Sequence, residues 1–68
     1  MVKMSLKAAR VNAGLSQKEA AVRLGVSNKT LGSWEQGNTY PSADKITAIC
    51  NLYGVEYDII NFLPSNPL

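Results

Sequence analysis

Apolar residues recur along this chain at spacings of three and four, the period of helices with one buried side. The cleanest stripe is Ala43, Ile46, Ile49, Cys50 and Tyr53. Ser42 stands before it as a capping residue, and Gly54 ends it. Leu6, Ala9, Arg10 and Ala13 give the same period to a first helix over residues 5–13. That helix carries an arginine on its inward side and stops at Gly14, and Leu15 anchors the link that follows.

Residues 17–36 are two further helices joined by a tight turn. Ser16 and Glu19 have the capping-box spacing, in which each side chain satisfies an N–H of the helix start. Gly25 falls where a left-handed turn residue is wanted. Val26 plugs the turn into a core, and Ser27 caps a second helix over 28–36 that Gly37 stops. Ala20 and Ala21 are small where the two helices cross. Leu31 and Trp34 share the inward face of the second helix. Asn28, Lys29, Gly32, Ser33 and Gln36 fall on the opposite face, which has no large apolar residue and no acid. Its side chains are hydrogen-bonding types that read base edges.

Asn38, Thr39 and Pro41 favour turns, and Pro41 disfavours helix at Tyr40. A last helix is expected over 56–62, with Leu63 at its margin. Val55, Ile59 and Leu63 would then enter the core, leaving Tyr57 and Ile60 to point elsewhere. Pro64 and Pro67 make residues 64–68 a tail. There are no repeats and no strand pattern. The expectation is an all-α fold, five short helices around one core, in one domain over 1–63.

Sixty-eight residues make one small domain. No apolar run approaches the ~20 residues of a membrane helix, and the start lacks the apolar stretch of a signal peptide. One cysteine allows no internal disulfide, which fits a cytoplasmic location. Cys50 is expected to be a small core residue, and Trp34 likewise. The chain has no histidine, no paired-carboxylate spacing and no phosphate-cradling glycine loop. Neither catalysis, a metal site nor a cofactor is expected from it. The net charge of +2 says little alone. Its distribution says more, because Lys3, Lys7, Arg10, Lys18, Arg23 and Lys29 precede residue 30, while Glu35, Asp44, Glu56 and Asp58 follow it.

Residues 17–36 resemble the helix-turn-helix of the phage repressor and Cro family of DNA-binding domains, an XRE-like, lambda-repressor-like fold. The residues that carry the likeness are Gln17, Ala21, Gly25, Val26, Leu31, Trp34 and the ending Glu35-Gln36-Gly37. It extends from about residue 6 to about residue 63. It implies a transcriptional regulator, a repressor type, whose third helix enters the major groove of a double-stranded operator as one half of a two-fold dimer. Ser27, Asn28, Lys29 and Ser33 would lie nearest the bases. Gln17 and Lys18, at a helix start, would meet phosphate, as would Thr30, Gln36 and Asn38. Relatives hold an arginine and a glutamate at the places of Arg10 and Glu35 as a buried ion pair, so the same pair is expected here. Tyr57, Ile60 and Phe62 would leave apolar surface for the dimer. No membrane and no small-molecule substrate is expected.

Each assignment has a plainer alternative: a solvated helix face, an ordinary polar first turn, or the scattered apolar surface of any small domain. Gly32 counts against the first, because glycine inside a helix costs about 1 kcal/mol relative to alanine. A close approach of the backbone to another surface would account for it. A different function is a protein-interaction module, such as an antitoxin or anti-repressor acting through the last helix.

Overall fold

Serine at the front and glycine at the back delimit the helices of the computed structural model, which describes residues 3–62. The margin at Leu63 and the tail lie outside the described residues. The chain runs β1 (Met4–Ser5), α1 (Leu6–Asn12), α2 (Gln17–Leu24), α3 (Asn28–Gln36) and α4 (Ala43–Tyr53). A 3-10 turn (Tyr57–Ile59) and β2 (Ile60–Asn61) follow. Ser16 and Glu19 form the reciprocal capping box: the Glu19 N–H donates to Ser16 Oγ at 3.0 Å, and the Ser16 N–H to Glu19 Oε1 at 2.9 Å. The Ser16 N–H, and then the Ser16 hydroxyl, hold the Glu19 carboxyl below its ordinary pKa. Ser5 and Ser27 cap α1 and α3 with the serine half of that arrangement alone, their hydroxyls accepting from the Ala8 and Thr30 N–H groups, each at 3.0 Å. Ser42 does not: its hydroxyl donates to Asp44 Oδ1 at 2.7 Å, and no side-chain bond caps α4. Gly25, at φ 73°, makes the left-handed step that turns the chain from α2 towards α3.

The segment after α4 departs from expectation. Among the described residues no fifth α-helix forms, and the fold there is four α-helices with a small strand pair rather than all-α. Ile60 instead adopts extended backbone, φ −95° and ψ 131°. β2 then pairs in parallel with β1, Met4 opposite Ile60 and Ser5 opposite Asn61. Extended chain has a period of two, not 3.6, which reverses the expected facing. Ile60 is therefore buried, 3% exposed, and is not the surface residue anticipated above. Ile59, expected inside, is only half-buried. Tyr57 is exposed, and its ring stacks on Phe62 with centroids 5.7 Å apart.

Leu6, Ala9, Ala20, Ala21, Leu24, Leu31, Trp34, Ile49, Tyr53 and Ile60 form the core. Every helix contributes to it, and Leu31 and Ile49 are wholly enclosed. Ala20 and Ala21 are buried as the α2–α3 crossing requires, and Val26 packs against the core from the turn. Ala13 and Ala43 are exposed because they lie at helix ends. Cys50 and Ile46 are half-buried and line a shallow groove with Val55 and Tyr57. Burial, and then the Glu56 charge, push the Cys50 thiol pKa up. No helix among the described residues is long and apolar enough to cross a membrane.

Candidate nucleic-acid interface

The turn after Gly25 sets α3 across α2 and leaves one side of α3 outward. On that side Asn28, Lys29, Gly32, Ser33 and Gln36 join Gln17 and Asn38 around a shallow depression of about 310 Å³. Asn28, Lys29 and Ser33 thus share one surface. Ser27 and Thr30 do not line it. The Ser27 hydroxyl is committed to the start of α3, accepting from the Thr30 N–H and donating to Thr30 Oγ1 at 2.9 Å. Lys18 and Lys29 are exposed and have no polar partner among the described residues.

Behind this surface runs a chain of hydrogen bonds with a fixed direction. Arg10 Nε donates to Glu35 Oε2 at 2.7 Å, with both side chains almost enclosed, at 8% and 5% exposure. The same guanidinium reaches the Leu15 carbonyl at 2.9 Å. An arginine and a carboxylate that leave water together need such partners. Gln17 Nε2 donates to Glu35 Oε1 at 3.0 Å, and Asn28 Nδ2 donates to Gln17 Oε1 at 2.8 Å. A carboxylate can only accept, so it turns the Gln17 amide nitrogen inward. The Gln17 oxygen then faces Asn28 and turns the Asn28 nitrogen towards it. Asn28 is left with its oxygen and one N–H free, a donor and an acceptor side by side. The core ion pair thereby orients a side chain on the outer face.

Two positions read differently in three dimensions. A Cβ on Gly32 would meet the Gln17 carboxamide at 3.5 Å, an ordinary contact, so packing within the chain does not demand glycine there. Thr39, in the connection after α3, holds Ser33: their hydroxyls are 2.8 Å apart. No motif marked Thr39, since the partner lies six residues away in an irregular segment. Asn38 Nδ2 donates to Gln36 Oε1 at 3.3 Å. Lys45, on α4, donates to the Leu24 carbonyl at 2.8 Å and so secures the end of α2.

Two helices at a tight turn, the second offering an acid-free polar face, are the architecture of a DNA-binding, transcription-regulating domain. A helix-turn-helix family model matches residues 6–60. The chain belongs to that family, of the XRE-like phage repressor and Cro type. It is 40% identical over 55 residues to the HTH-type transcriptional regulator ImmR of Bacillus subtilis (strain 168). That match takes in 81% of this chain and 43% of ImmR, so the chain spans less than half the length of this relative. No solved structure matches.

Proposed function

We propose that this protein is a sequence-specific transcriptional regulator that represses by occupying a double-stranded DNA operator in the cytoplasm. The observation that supports it most is the outward row Asn28, Lys29 and Ser33 on α3, with Gln17 bonded to its first member at 2.8 Å. Family membership and the name of the relative ImmR point the same way. α3 lies in the major groove, which is wide enough for a helix. The free oxygen and N–H of Asn28 match adenine N6 and N7, and Lys29 donates to guanine O6 and N7. Ser33, held by Thr39, reads through water, and Ser27 lies at the same end of α3. Gln17 and Lys18 at the start of α2 take phosphate, with Thr30, Gln36 and Asn38 beside them. The chemistry is binding rather than catalysis.

One α3 spans only a few base pairs. Two copies about a two-fold axis span two half-sites about 34 Å apart. The stacked Tyr57 and Phe62 at the corner beyond α4 supply apolar surface for that pairing, small enough to form fully only on DNA. Ile60, being in the core, has no part in it.

The test starts with an operator selected from a randomised duplex pool. Binding measured against salt should fall steeply, and Lys18→Ala should flatten the slope by about one unit on every sequence. Binding without a salt slope would discard DNA in favour of a protein-interaction module. Sedimentation with a palindromic operator should give two chains per duplex, and Tyr57→Asp should weaken that complex. One chain per duplex at saturation would discard the dimer.

A further inference from the structure

Beside the depression lies a second cleft, of about 440 Å³, whose lining includes Lys7, Arg10, Gln17, Gly32, Glu35 and Gln36. Gln17, Gly32 and Gln36 border both hollows, so the cleft adjoins the outward side of α3. Its charges are unevenly engaged. Arg10 and Glu35 are locked together at 2.7 Å and cancel. Lys7 is exposed and has no hydrogen bond or ion pair among the described residues. The remaining positive charge of the cleft is therefore that of Lys7. A lone Glu35 in this wall would repel an anion. With Arg10 neutralising it, an anion in the cleft meets one uncompensated ammonium and the polar amides around it. A lysine on a flexible stem suits phosphate as a point charge.

We propose that Lys7, outside the helix-turn-helix, binds a DNA backbone phosphate in this cleft, next to the bases that α3 reads. This rests on the DNA-binding function proposed above and adds a phosphate contact from α1. Lys7 then supports binding to every sequence and carries no base preference.

The test uses the full chain and Lys7→Ala, with fluorescence anisotropy on the selected operator and on a random duplex. Lys7→Ala should weaken both by a similar factor, lower the salt slope by about 0.9 and leave the thermal midpoint unchanged. The parent's advantage over the variant should then shrink roughly threefold between about 50 and about 200 mM salt. In an operator series carrying one neutral methylphosphonate at a time, one position should weaken the parent and not weaken Lys7→Ala further. Inorganic phosphate replacing chloride at constant ionic strength should inhibit the parent at least as strongly as the variant, because it competes with DNA for the same ammonium. A methylphosphonate series in which no position weakens the parent more than Lys7→Ala would leave the cleft to the free ion and overturn the DNA contact. An unchanged slope in Lys7→Ala, with a steep slope in the parent, would overturn the Lys7 assignment alone. A parent with no slope would overturn the DNA function and this inference with it.

Discussion

Replacing Arg10 with methionine removes the guanidinium paired with Glu35 and keeps the volume similar. Arg10 is 7% exposed and donates to both carboxylate oxygens, at 2.7 and 3.4 Å, and to the Leu15 carbonyl at 2.9 Å. Without it, Glu35 keeps only the Gln17 amide as a donor among the described residues. An uncompensated buried charge of this kind costs about 3–5 kcal/mol. The whole stability of 68 residues, at roughly 0.05–0.15 kcal/mol per residue, is about 3–10 kcal/mol. Arg10→Met should therefore lose from about a third to all of the parent's stability at 25 °C. Urea unfolding followed by helical circular dichroism and by Trp34 fluorescence measures this. The double variant Arg10→Met with Glu35→Leu should recover to within about 1 kcal/mol of the parent, because an apolar pair often replaces a buried ion pair without loss. The resulting coupling energy should be at least about 2 kcal/mol. The double variant should also bind DNA with blunted discrimination, since Gln17 has lost the carboxylate that orients it. A cost below about 1 kcal/mol for Arg10→Met would refute the ion pair as a strut between α1 and α3. A double variant that discriminates as sharply as the parent would refute the orienting chain.

Gly32→Ala meets no clash within the chain and should raise stability by roughly 0.5–1 kcal/mol. It should weaken operator binding at the same time if DNA approaches the α3 backbone; unchanged affinity in a titration would remove that role from Gly32. The Tyr53 hydroxyl is buried with no hydrogen-bond partner among the described residues, so Tyr53→Phe should leave stability at neutral pH equal or higher in urea melts. Burial, then the Glu35 charge, opposed by Arg10, push the Tyr53 pKa up to about 12 from 10.0. Between those values the unfolded chain has lost a proton that the folded one keeps, so the Tyr53 contribution to stability should be flat below pH 10 and fall from there to about 12. In a Tyr40→Phe, Tyr57→Phe background the absorbance titration isolates Tyr53, and a midpoint near 10 would contradict its burial.

The helix-turn-helix was legible because its signals are local. Ser16 with Glu19, Gly25, and Ser27 before α3 act within one turn of helix, and the structure has each bond or dihedral those residues imply. Leu31 and Trp34 fell inward because α3 is regular enough for a 3.6 period to hold. The end of the chain was not legible, because the choice there is made by a distant partner. Ile60 goes inside through pairing with Met4, 56 residues away in sequence, and no local pattern announces a two-residue parallel strand. Ser42 likewise looked like a cap, yet Asp44 competes for its hydroxyl. At the site, the outward residues of α3 followed from periodicity. The bonds from Glu35 through Gln17 to Asn28, and from Thr39 to Ser33, depend on how separate elements meet.

The claim that α3 reads bases is tested most directly by Asn28→Ala and Lys29→Ala, measured on the selected operator and on random duplex at one salt concentration. Each substitution should cost on the order of 1–3 kcal/mol on the operator and far less on random DNA, and should relax selection at one base position. Equal losses on the two duplexes, with selection unchanged at every position, would mean that this face of α3 does not read sequence.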